Sequence, residues 1–156
     1  MKKAMWIISF LSLILTAIAL QFMPDSVPMH YNLAGEIDRW GSKYENLVFP
    51  IIIIAIFLFW QLFVSYYEKK AAKSAIEKER VEAVTNAKVL KITGVSMATL
   101  STAVQAFILY GAYVEANTDA THAHIDIMKV TCILVGAIIL ILGNFMPKQK
   151  RITQLV

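Results

Sequence analysis

Residues 46–67 read NLVFPIIIIAIFLFWQLFVSYY, a run without a single formal charge. A bilayer core about 30 Å thick asks for roughly 20 apolar residues per helix, and this run supplies them. Large apolar side chains surround its axis, so it offers no polar face to water. Working outward, three more stretches meet the same requirement: residues 4–22, 92–114 and 127–147. Only Lys129 interrupts their lack of charge. It falls in the first turn of the fourth stretch, where its stem can lie along the helix while the ammonium reaches the headgroups. The composition agrees, since 58% of the 156 residues are hydrophobic, beyond the range of a soluble globular domain.

The expected fold is therefore all-α, an integral membrane four-helix bundle forming one domain over 1–156. Residues 4–22 are expected to stay in the chain as a span. Their apolar run is long for a signal peptide, and residues 21–24 present no small-x-small cleavage site. Basic residues set the expected orientation, because Lys and Arg are retained on the cytoplasmic side during insertion. Lys2, Lys3, the seven basic residues between 69 and 91, and Lys148, Lys150 and Arg151 fall on one side of a four-span arrangement. Arg39, Lys43 and Lys129 fall on the other, a count of 12 against 3. Both termini are thus expected in the cytoplasm of a bacterial cell. The net charge of +4 is mostly this asymmetry, which points to an anionic inner leaflet as the counter-surface and away from nucleic acid. Aromatic residues fit: Trp6, Trp60, Tyr66 and Tyr67 near the inner headgroups, Tyr110 and Tyr113 near the outer ones.

Lipid tails are as apolar as leucine, so small residues rather than hydrophobic ones mark helix contacts in a membrane. The third span carries Gly94, Ala98, Thr102 and Ala106 at four-residue spacing, with Gln105 beside them. The fourth carries Cys132, Gly136 and Gly143 on one face. These two seams are expected to pack against each other. Cys132 is the single cysteine, which excludes an intramolecular disulfide and a cysteine-based metal site. Gln61 and Gln105 fall at different depths and are expected to bond between helices rather than to form a transport path. Residues 68–91 are rich in Ala, Glu and Lys, and are expected to extend the second helix into the cytosol as far as a reversal at Thr85 and Asn86. Ala72, Ile76, Ala83 and Ala87 give that extension a narrow apolar stripe.

The first outer connection, residues 23–45, reads MPDSVPMHYNLAGEIDRWGSKYE. Pro24 and Pro28 favour an extended start, residues 32–35 (Asn-Leu-Ala-Gly) have turn chemistry, and Trp40-Gly41 sets a large amphipathic ring beside a joint. The pattern Met23-Pro24, Val27-Pro28-x-His30-x-Asn32-x-x-Gly35-x-x-Asp38-x-Trp40-Gly41-x-Lys43, with an apolar span opening near Pro50, resembles the SdpI immunity-protein family. More specifically, it resembles the domain of unknown function that forms the N-terminal four-helix half of such proteins. Residues 143–148, Gly-Asn-Phe-Met-Pro-Lys, are similar to the sequence after the family's fourth helix. Longer members of that family continue with further helices, so the four-helix half alone is expected here.

The resemblance implies a membrane protein that protects its host from a secreted peptide toxin, and that can hold a cytoplasmic regulator at the membrane. The outer-loop residues His30, Asn32, Gly35, Asp38, Arg39, Trp40, Gly41 and Lys43 are the expected binding surface. The apolar face of a peptide is expected on Trp40, Met29 and Tyr31. Docking of a partner, or of a second copy as a homo-oligomer, is the alternative. No cofactor is expected. A metal reading would use His30, His122 and His124 with Glu36, Asp38, Asp119 or Asp126, but the spacing fits surface histidines as well. No HExxH, GxSxG or phosphate-cradling glycine loop is present, so an enzyme, such as a metal-dependent membrane hydrolase, is not expected.

Overall fold

The computed structural model describes residues 1–118 and 120–145. Four helices are present: α1 (Lys2–Ala19), α2 (Val48–Lys73), α3 (Glu77–Asn117) and α4 (Ile127–Phe145). Between α1 and α2 the chain forms an antiparallel hairpin of β1 (Ser26–Tyr31) and β2 (Ile37–Ser42), followed by a 3-10 turn, Lys43–Leu47. The all-α expectation is corrected to that extent. α1, α2 with its preceding turn, and α3 are long and apolar enough to cross a membrane; the shorter apolar run Met128–Leu140 lies in α4. At about 1.5 Å per residue, the 41 residues of α3 reach about 60 Å, twice the hydrocarbon thickness.

The bundle is built as a lipid-solvated protein should be. Ile7, Phe10, Leu11, Ile14 and Ile18 of α1 face outward, while its buried positions are Met5, Ser9, Ser12 and Thr16. With no water to escape, apolar bulk can face lipid, and the contact line goes to small and hydroxylated residues that let backbones approach. Gly94 of α3 faces side chains of both α1 and α2: a Cβ there would overlap the Met5 sulfur and lie 2.8 Å from Trp60 Nε1. Trp60 in turn donates to the Leu90 carbonyl (3.0 Å), tying α2 to α3. Met5, Ile53, Phe57, Val64 and Ala98 form the apolar cluster around this point.

The small-residue seam of α3 therefore meets α1 and α2 rather than α4. Gly94, Ala98, Thr102 and Gln105 are buried there, and Thr102 Oγ1 donates to the Ile8 carbonyl (3.3 Å). Ala106 is exposed. On α4, Cys132 is exposed and, among the described residues, nothing lies within 4 Å of a Cβ placed on Gly136 or Gly143, so the expected α3–α4 seam is not formed by these residues. Spacing identifies a helix face that can pack closely; it carries no information about the partner.

The turn between α2 and α3 is also displaced from its expected place. The chain reverses at residues 74–76, where Ser74 and Ile76 have extended backbones and Ser74 Oγ accepts from the Ile76 N–H (3.3 Å). Thr85 and Asn86 lie inside α3. Thr85 turns its hydroxyl back to the Val81 carbonyl (2.8 Å), which satisfies it within the helix and removes its capping role. The extension is thus a pair of antiparallel helices. Ala83 and Ala87 are buried in it, while Ala72 and Ile76 stay exposed.

Candidate functional site

The hairpin closes one end of the bundle. Asn32 starts its turn: the side-chain Oδ1 accepts from the N–H groups of Ala34 and Glu36, both at 2.9 Å, and the Asn32 carbonyl accepts from Gly35 N–H (2.9 Å). Gly35 has φ +80°, a conformation that L side chains seldom adopt, which explains glycine there. At the other end of β2, a Cβ on Gly41 would overlap the Glu45 carboxylate and lie 2.8 Å from Met29 Cγ. Glu45 needs that space. It closes a capping box with Ser42, accepting from the Ser42 N–H (3.1 Å), and also takes the Arg39 guanidinium. The Arg39 hydrogen bond holds the Glu45 carboxyl below the usual range.

Underneath, Val27 and Met23 join Leu20, Leu109 and Ala112 in an apolar cluster, with Met29 and Leu47 packed against it. The hairpin is thus a lid seated on α1 and α3. Its fastening is polar. Glu115, 1% exposed at the end of α3, accepts from the Tyr31 hydroxyl and from the His124 backbone N–H. Burial, reinforced by the Glu115 carboxylate, pushes the Tyr31 phenol above the ordinary tyrosine range. The connection between α3 and α4 then meets the hairpin through an isolated antiparallel bridge. Ile37 N–H donates to the Thr121 carbonyl (2.9 Å), Ala123 N–H donates to the Gly35 carbonyl (2.7 Å), and Glu36 lies opposite His122. Asp126 caps α4, accepting from Lys129 N–H (3.0 Å) and pairing with its ammonium (2.9 Å).

These contacts divide the expected binding residues into two groups. Lys43 is inward, its side chain 15% exposed, donating to the Met23 carbonyl and pairing with Asp25, both at 3.1 Å. Met29 is half-buried in the apolar seat and Tyr31 is bound to Glu115, so neither presents an apolar face to a ligand as expected. Asn32, Gly35 and Gly41 shape the backbone. What remains outside is His30, Asp38, Arg39 and Trp40. His30 Nδ1 lies 2.6 Å from Asp38 Oδ1 across the strands, and Trp40 is 44% exposed. Leu33, at the tip of the turn, is fully exposed and was not among the expected residues.

The histidines do not converge. His30 bonds Asp38, His122 lies opposite Glu36 in an isolated bridge, and His124 is engaged through its backbone. Among the described residues no three metal-ligating side chains form a group; Asp119 lies outside them. Gln61 and Gln105 have separate partners, the Lys2 carbonyl for the first and Thr16 with Asn46 for the second. Glu115 and Tyr31 escaped sequence reasoning as fastening residues. The available signal was a lone carboxylate directly after the last apolar residue of the third span.

The molecule is therefore a bundle in which three helices are long and apolar enough to cross a membrane, closed at one end by a β-hairpin lid. Residues 7–54 match the family model described as a domain of unknown function, DUF1648, which is often seen in SdpI-like membrane proteins. The match runs from α1 through the whole lid into the start of α2. No curated protein and no solved structure matches the chain.

Proposed function

We propose that this chain is a non-enzymatic protein of the bacterial cytoplasmic membrane, with both termini inside, that binds or senses a peptide toxin or antimicrobial at the outer face. The lid is the receptor surface. The observation that carries this reading is the split between the lid's two sides. Its underside is committed to packing and hydrogen bonds, whereas Trp40, Leu33, His30, Asp38 and Arg39 stand outward on a backbone that is already ordered. An ordered backbone lowers the entropy cost of binding, and a half-exposed Trp is a typical anchor for an apolar partner face. The lid carries four carboxylates (Asp25, Glu36, Asp38, Glu45) against two cations (Arg39, Lys43), which favours a cationic amphipathic peptide.

The test is survival. Cells expressing the chain are expected to tolerate a cationic membrane-active peptide that kills cells without it, and Trp40→Ala or His30→Ala should abolish that tolerance at an unchanged level of protein in the membrane. Tolerance that persists in both variants would count against the lid as receptor.

A second reading, an accessory subunit that docks a cytoplasmic partner or a second copy, is favoured by one observation. Ile76, Val81 and Val84 of the helical extension are each more than half exposed, beyond the segment expected in lipid. Purification in mild detergent would support it by yielding a stoichiometric partner or a defined homo-oligomer, and would oppose it by yielding monomer alone.

A further inference from the structure

Inside the bundle, one face of α1 presents three hydroxyl groups, those of Ser9, Ser12 and Thr16, all wholly buried. A serine or threonine in a membrane helix ordinarily donates to the carbonyl four residues earlier. Ser9 does so to Met5 (2.8 Å) and Thr16 does so to Ser12 (2.9 Å). Ser12 does not. Its natural acceptor, the Ile8 carbonyl, takes Thr102 Oγ1 of α3 instead (3.3 Å). Among the described residues, two buried side-chain polar atoms have no hydrogen-bond partner, Ser12 Oγ and Gln105 Oε1.

The two belong to one place. Gln105 reaches α1 through its amide nitrogen, which donates to Thr16 Oγ1 (3.1 Å) and to the Asn46 carbonyl (3.4 Å). Ser12 and Thr16 are one turn apart on the same helix face, about 5–6 Å between Cβ atoms. Thr102, one turn before Gln105 on α3, crosses to Ile8, one turn before Ser12. Ser12 thus lies between two cross-links of the α1–α3 contact. In a membrane interior an unmet hydroxyl or carbonyl is strongly disfavoured, because no bulk water is at hand to satisfy it. We infer that Ser12 and Gln105 hold a buried water molecule that bridges α1 and α3. Thr16, one turn from Ser12, is already bonded to the Gln105 amide at 3.1 Å, so the two unmet atoms lie on neighbouring positions of the same contact. The water accepts from the Ser12 hydroxyl and donates to Gln105 Oε1, which completes both groups. A cation is disfavoured, because Ser9, Ser12, Thr16, Thr102 and Gln105 are all neutral and none would offset its desolvation. The water also lies one bond from the lid: the amide of Gln105 that it orients is the one that reaches Asn46, in the turn joining the hairpin to α2.

The experiment uses the full chain in lipid nanodiscs and reads magnetisation transfer from water to the Ser12 hydroxyl and the Gln105 side chain by solid-state NMR. Transfer at both is expected, with loss at Ser12 in Gln105→Met, where the serine itself is unchanged. No transfer in the unaltered chain, or undiminished transfer at Ser12 in the variant, overturns the inference. Thermal midpoints of Ser12→Ala, Gln105→Met and the double variant give a second measure. A shared water makes the double variant fall no further than the worse single variant, whereas additive losses overturn it.

Discussion

The two ends of the bundle are held by different physics. At the lid end, directional bonds converge from separate parts of the chain: Tyr31 of the hairpin and His124 of the last connection on Glu115 of α3, and Thr121 with Ala123 on the hairpin edge. At the opposite end, the essential feature is closeness: Gly94 admits Met5 and Trp60 where a side chain would collide. Polar groups there form a peripheral cluster, with Glu68 of α2 bridging Lys2 of α1 and Lys91 of α3 (2.6 Å to the latter), all about a quarter to a third exposed. Beyond it the α2–α3 pair projects with exposed Val81 and Val84. Polar stitching fixes the orientation of a small element that could not bury enough surface to hold itself. Close packing fixes long helices that have surface to spare.

If that contrast is right, the most damaging single change belongs to the packed end. Gly94→Leu should cost about 3 kcal/mol, since the Met5 thioether and the Trp60 indole, itself bonded to Leu90, fill the space that the new side chain would need. Retention of the helices with loss of a cooperative thermal transition in detergent is the expected result, and a midpoint close to that of the unaltered chain would remove the packing argument.

Glu115→Ala should come next, at about 2–3 kcal/mol, because it leaves the Tyr31 hydroxyl and the His124 N–H without their acceptor. Its effect should be local. Hydrogen exchange is expected to rise in residues 31–37 and 121–124 and to stay low at the α1–α3 contact; a uniform rise would mean that the lid and the bundle open together. By contrast, Lys2→Met should cost less than about 1 kcal/mol, as a partly exposed ion pair is screened and gains little over solvation. Salt titration of the thermal midpoint, abolished in the variant, would identify that small contribution.

How much of this contrast could be read in the sequence follows from the same physics. Apolar length is a property of one segment, so the spans at 4–22, 46–67 and 92–114 were legible, as was the helical character of 68–91. Packing partners are a property of two segments. The spacing of Gly94, Ala98 and Thr102 marked a face but was silent on α1, whose matching face is hydroxylated rather than glycine-rich. Asn32, Gly35 and the two prolines signalled a turn and an extended start, yet the strand pairing that follows depends on register across the turn. Glu115 was hidden by position: one residue past the expected span, it reads as a solvated end, and only the tertiary fold covers it. Gly41 was legible as a joint, but the reason for it, room for the Glu45 carboxylate, required the capping box to be seen.

The smallest expected effect separates the lid's buried stitch from its surface one by pH. Tyr31 has its phenol pKa raised, chiefly by burial, so the folded state holds that proton more tightly than the unfolded chain does. The corresponding stability is complete below the ordinary tyrosine pKa of about 10 and is lost as pH rises through the higher folded value. Glu45 has the opposite sign. Its pKa is lowered by Arg39, so its contribution is present above the ordinary glutamate value and is lost as pH falls through the lowered one. Being partly exposed, that pair is screened by salt, whereas the buried Glu115 and its Tyr31 partner are shielded from it. An alkaline titration followed by tyrosinate absorbance should therefore show a late-ionising phenol that is missing in Tyr31→Phe and insensitive to salt, while the acid limb of lid protection should shift with salt and flatten in Arg39→Ala. A Tyr31 that ionises together with the other tyrosines would place the phenol in contact with solvent, and the lid would then be held from its surface rather than from beneath.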